Sequence, residues 1–129
     1  MNSCHWVLTL GLQEGYHTTQ QVVPTLAEVG AIYQQVAEEI FRETKIYISA
    51  SVHSAKTLYH KEWGCPEGGE ETVVFMGCCN PVFTQPKAYE AVLKLLAKRL
   101  KERFHQKTAM LEIMVANAIY LTESEGEGK

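Results

Sequence analysis

The chain has 129 residues, 46% hydrophobic and 21% charged, which suits one domain whose core needs no metal or disulfide to complete it. Its net charge is −3, and Glu123, Glu125, Glu127 and Lys129 account for −2 of that (three acids less one base). The body is therefore near neutral, without the basic stripe that phosphate contacts require, and nucleic-acid binding is not expected.

No apolar run nears the ~20 residues that span a bilayer. The start has neither the basic residues nor the apolar stretch of a secretory leader. The expectation is a cytoplasmic chain without membrane contact. In that setting Cys4, Cys65, Cys78 and Cys79 are expected as reduced, partly buried thiols.

Residues His5 to Leu12 alternate as a strand, with Trp6, Leu8, Leu10 and Leu12 on one face and Val7, Thr9 and Gly11 on the other. Gln13 to Val23 is a polar loop of eleven residues, long enough to favour a binding or covering role. The first helix starts from a capping box, Thr25 with Glu28, just after Pro24. Leu26, Val29, Ile32, Tyr33, Val36 and Ile40 then form its apolar stripe. Gly30 interrupts that helix at a cost of about 1 kcal/mol against alanine.

Lys45 to His60 reads as a long β segment, with the alternation faltering at Ser54 and Ala55, where a bulge fits. Lys61 to Glu70 holds three glycines and a proline and reads as a turn. Thr72 to Cys79 is apolar on both faces, as a central strand would be. Thr84 is the expected cap of a second helix, with Pro86 in its first turn and Ala88, Val92, Leu95, Leu96 and Leu100 as its stripe. Thr108 to Leu121 is the last strand. Residues 1–121 thus form a single α+β domain, and 122–129 an acidic flexible tail.

The order β-α-β-β-α-β resembles the ferredoxin-like fold, specifically small domains of the dimeric α+β barrel type. The resemblance is one of architecture, covers nearly the whole chain and transfers no activity. It implies a four-stranded antiparallel sheet in the order 4-1-3-2, with both helices on one face. Cys4 and His5 then lie beside Cys78 and Cys79. At the opposite end gather Tyr16, His17, His60, Trp63 and His105.

The same geometry divides the strand residues between two faces. The helices should cover Trp6, Leu8, Leu10, Val73, Phe75, Leu111, Ile113 and Val115. The other face should show Val7, Thr9, Tyr47, His53, Val74, Met76, Met110, Met114, Ala116 and Ala118, too apolar to stand in water as one patch. A second copy of the chain, packed sheet to sheet as a homodimer, would bury it; so would a small apolar ligand.

No motif names a reaction. The cysteines lack zinc-site spacing, and adjacent Cys78 and Cys79 point to opposite faces of a strand, so no metal and no cofactor is expected. His17, His60 and His105, with Glu62 or Glu67, are candidates for a general acid and base, although loop histidines are commonly just solvated. Glu112 is a further catalytic candidate, since a partner over the open face would desolvate it. Tyr47, His53, Met76, Met114 and Tyr120 are the ligand-binding candidates there. His53 and Glu112 sit on opposite edge strands about 14 Å apart and cannot pair within one subunit. The acidic run Pro66 to Glu71 would repel phosphate and is no phosphate loop.

Two functions follow from this reading. The first is a non-enzymatic homo-oligomerising domain of unknown role that binds a small apolar molecule at its sheet face. The alternative is a small enzyme of the dimeric α+β barrel type that moves a proton on a small organic substrate.

Overall fold

The computed structural model describes residues 2–13 and 23–123. Its elements are β1 (Asn2–Gly11), α1 (Leu26–Thr44), β2 (Ser51–Thr57), a single 3₁₀ turn (Lys61–Trp63), β3 (Glu70–Cys78), α2 (Pro86–Arg103) and β4 (Met110–Asn117). The sheet order is β2-β3-β1-β4, every neighbouring pair antiparallel. This is the ferredoxin-like βαββαβ arrangement expected from the sequence. Most of the long loop after β1, with Tyr16 and His17, lies outside the described residues, as does most of the acidic tail.

Local chemistry explains where the helices begin. Thr25 caps α1: its hydroxyl accepts the Glu28 N–H at 3.2 Å while the Glu28 carboxylate accepts the Thr25 N–H at 2.9 Å. Val29, Tyr33, Val36, Ala37 and Ile40 are buried at helical spacing. The second helix differs from expectation. Its cap is Gln85 rather than Thr84, and it makes no side-chain cap bond. Pro86 is the reason: it is pre-set for the first helical position and holds the residue before it extended, so the helix starts at the proline. Arg99 reaches across to Glu43 with two hydrogen bonds of 2.7 and 2.8 Å, which ties α2 to α1.

Strand β2 is shorter than the alternation implies. Only Ser51–Thr57 pairs with β3. Lys45 closes α1 in the left-handed conformation (φ 66°), and the buried Tyr33 hydroxyl donates to the Ile48 carbonyl at 2.5 Å. Residues 46–50 thus lie outside the ladder, tied to the helix through Ile48. Strand β4 is shorter too, and Val115, expected beneath the helices, is 87% exposed because α2 does not reach it. Leu111 and Ile113 do pack on the core.

At the centre of the core is Trp6, fully buried. Its indole N–H donates to the Tyr89 hydroxyl of α2 at 2.8 Å, so the one polar atom of the ring is satisfied where water cannot reach. Opposite Trp6 on β3 stands Gly77. A Cβ there would lie 2.7 Å from the Ser49 carbonyl oxygen and 2.9 Å from the indole nitrogen. Tyr33 stacks on Phe75 at 5.1 Å between ring centroids.

Two stability predictions follow from this packing. Gly77→Ala should lower unfolding free energy by about 1–3 kcal/mol through overpacking against backbone and ring, read as a lower urea midpoint at unchanged slope. Burial pushes the Tyr33 and Tyr89 phenols well above the usual tyrosine range. In the unfolded chain they ionise near pH 10, so their stabilising share is complete below that and is lost as pH rises toward the folded values. Urea midpoints should therefore fall between about pH 9.5 and 11.5, and the fall should shrink in Tyr89→Phe. A flat profile would contradict the burial of these phenols.

Candidate functional site

The face of the sheet turned away from the helices is set by register. Val7 lies between Met76 and Glu112, Thr9 between Val74 and Met110, and His5 between Cys78 and Met114. His53 pairs with Val74 on the far side. Met110 and Met114 are exposed. His53 and Glu112 are separated by β3 and β1, as expected, and both are exposed. Tyr47 is not on this face. Because its segment leaves the ladder, its ring lines a hollow against α1 with Ala27, Gly30 and Ala31, steadied edge-on by Phe41 at 6.2 Å.

Polar chemistry gathers at the end of the open face where β1 finishes and β3 begins. The β2–β3 connection turns through Gly64, Gly68 and Gly69, all with φ near +90° to +100° (103°, 87° and 98°), conformations that glycine adopts without steric cost. This path returns Tyr59 over the start of β3, where its hydroxyl donates to Glu70 Oε1 at 2.9 Å. One strand over, Gly11 leaves room for the same carboxylate. A Cβ on Gly11 would sit 2.5 Å from Glu70 Oε2 and 2.6 Å from Gln106 Oε1. Gln106 is itself anchored, its amide N–H groups donating to the Gln13 and Phe104 carbonyls at 2.8 and 3.0 Å. Thr57 and Thr72 join hydroxyls at 3.0 Å beside them.

The result is a half-buried carboxylate, oriented by a phenol, at the edge of an apolar floor. Such a group can hold a cationic part of a ligand while the floor takes its apolar part. Glu70 and Tyr59 were not singled out from the sequence. Their meeting depends on the path of a glycine-rich turn, which residue type alone does not encode. The available signal was a glycine ending one strand beside a glutamate opening its neighbour.

The histidines expected at this end do not form an acid–base pair. His60 caps the 3₁₀ turn, its Nδ1 accepting the Glu62 N–H at 3.1 Å, with its ring 5.5 Å from that of Trp63. His105 is exposed and takes φ 54° where the chain leaves α2. Each serves its own turn, and His17 lies outside the described residues. Tyr120 is half exposed and meets Phe83 edge-on at 5.5 Å, away from the Glu70 cluster.

The cysteine end forms as expected. The Cys79 N–H donates to the Cys4 carbonyl at 2.9 Å, and all four cysteines are free. Burial pushes the Cys4 and Cys79 thiols up, which keeps them protonated and unreactive. Among the described residues no group of three or more His, Cys, Asp or Glu side chains is placed to hold a metal. Nor is any helix among them long and apolar enough to cross a membrane.

A phage SAM lyase in its apo state is 16% identical, matching over 94% of each chain with a TM-score of 0.62. A phage SAM lyase in complex with S-methyl-5'-thioadenosine is 18% identical over 87% of this chain and 80% of that one, with a TM-score of 0.60. At these identities the likeness is one of fold. No curated protein matches. The family model of SAM lyase matches residues 1–122, nearly the whole sequence. The chain belongs to the SAM lyase family.

Proposed function

We propose that this chain is an enzyme that cleaves S-adenosylmethionine, releasing S-methyl-5'-thioadenosine. The match of the SAM lyase model over residues 1–122 carries this reading, and the relative of like fold that holds S-methyl-5'-thioadenosine supports it. Of the two functions drawn from the sequence, the enzyme is the better supported, with a different reaction from the proton transfer expected there.

A lyase adds no water, so the bond from sulfonium sulfur to the γ-carbon of the methionine part must break internally. The substrate's own carboxylate can attack that carbon. One C–O bond forms, the C–S electron pair returns to sulfur, and the products are a neutral thioether and a five-membered amino lactone. No general base is needed, so neither the histidines nor Glu112 has to move a proton. The attack joins a carboxylate to a sulfonium and cancels both charges, so it runs faster where water is excluded. The apolar floor of Val7, Met76 and Met114 suits that demand. Holding the flexible methionine part in its closed shape supplies the rest.

Glu70 is assigned to the substrate's ammonium. That charge persists through the reaction, so pairing with it orients the substrate without opposing the change at sulfur. A carboxylate beside the sulfonium would instead favour the ground state. Tyr59 positions Glu70. A second copy of the chain over the open face would close the site to water, with His53 and Glu112 at its rim. The soluble substrate suits a cytoplasmic setting.

Incubation with S-adenosylmethionine should yield S-methyl-5'-thioadenosine and homoserine lactone by chromatography and mass spectrometry. Glu70→Gln should lower kcat/KM by about 10²-fold, chiefly through a higher KM, the loss of one charge-assisted contact of ~2–3 kcal/mol, with an unchanged circular dichroism spectrum. Absence of the thioether with wild-type protein would refute the reading; vinylglycine in place of lactone would replace internal attack by proton abstraction. In sedimentation, the wild type should run as an oligomer and Met114→Glu as a smaller species with reduced turnover. A wild-type monomer would remove the partner from the site.

A further inference from the structure

On the helix side of the sheet, at its β2 edge, lies a cavity of about 420 Å³ between α1 and the segment that precedes β2. It shares no residue with the Glu70 cluster. Phe75 and Val52, paired across β3 and β2, reach it from the sheet face opposite to that of Thr72 and Glu70.

Gly30 is the first clue. It sits inside a helix of 19 residues, where glycine costs about 1 kcal/mol against alanine. A Cβ built on it meets nothing within 4 Å, and its φ is not positive. Neither close packing nor backbone conformation therefore accounts for the glycine. What its missing side chain does is deepen the cavity.

The lining is the second clue. Among the described residues no charged side chain borders this cavity; its walls include the rings of Tyr33, Tyr47 and Phe75, with Gln34 and Ser49 as polar groups. A contiguous hollow shares Ala31, Gln34 and Tyr47 and is bordered by Glu38, Glu39 and Arg42. A hollow with aromatic walls takes a planar heteroaromatic ring. Adjoining carboxylates accept hydrogen bonds from a vicinal diol, as acidic side chains do for ribose hydroxyls. Two carboxylates against one guanidinium make the same hollow a poor place for phosphate.

The geometry points to a nucleoside-binding site at α1, separate from the Glu70 cluster, that takes an uncharged purine nucleoside and discriminates against the nucleotide. The base lies over Gly30 beside Tyr47, and the ribose hydroxyls face Glu38 and Glu39. That the nucleoside is S-methyl-5'-thioadenosine rests on the lyase reading; the site makes the enzyme a receptor for its own neutral product.

The test is a titration of the ¹⁵N-labelled full chain with S-methyl-5'-thioadenosine and with adenosine monophosphate, followed by amide NMR. With the nucleoside, the amides of Gly30, Ala31 and Ser49 should shift saturably, with at least about tenfold weaker binding of the monophosphate, a difference of ~1.4 kcal/mol. Gly30→Leu, whose Cβ meets nothing within 4 Å, extends a side chain into the cavity and should abolish these shifts, and Tyr47→Ala, at an exposed ring, should weaken them. Shifts confined to β3 around Glu70, shifts at α1 that survive Gly30→Leu, or equal binding of the monophosphate would overturn the proposal. Turnover is read separately. Cleavage of S-adenosylmethionine without α1 shifts leaves the lyase reading standing and this site refuted. Shifts without cleavage do the reverse.

Discussion

A four-stranded sheet has two faces, and the connections of this chain put both helices on one of them. There α1 and α2 pack side by side, joined by the Arg99–Glu43 pair. Everything apolar on β1, β3 and β4 that points the other way is left for something else to cover. The core side is closed tightly by Trp6, whose N–H fixes Tyr89 of α2 and whose ring fits because Gly77 has no side chain. The open side carries methionines and valines and, at one end, the carboxylate that Tyr59 orients.

This division of labour suits the internal attack proposed above. A reaction in which two charges annihilate gains from a surface that holds little water, and it needs few groups that trade protons. A small domain with scattered histidines and one phenol-held glutamate has what such a reaction asks for. The helix side, buried around Trp6 at its centre, backs the strands that place Glu70.

The fold was legible because its signals are local or periodic. The capping box at Thr25, the alternation in β1 and the two-faced apolar run of β3 each state their element in a few consecutive residues, and the order of elements then allows few topologies. The site was less legible. Tyr47 was placed on the open face by counting alternate residues back along β2, a count that holds only while the ladder continues. The ladder stops at Ser51, and a buried hydroxyl on α1 takes the Ile48 carbonyl instead. Residue type alone points to the histidines of that end rather than to Tyr59 and Glu70. Two of those histidines, His60 and His105, turn out to shape turns.

Gly11 gives the open face a property that composition does not reveal. Where the Glu70 carboxylate sits is decided by an atom that is missing from the next strand. Adding a methyl group at position 11 would move that carboxylate without altering its charge or its hydrogen-bonding capacity. The chain thus contains a means of varying the distance between its acid and whatever lies on the floor, independently of the acid's identity. The residue at that strand end is a place where the position of the Glu70 carboxylate can change while its chemistry does not.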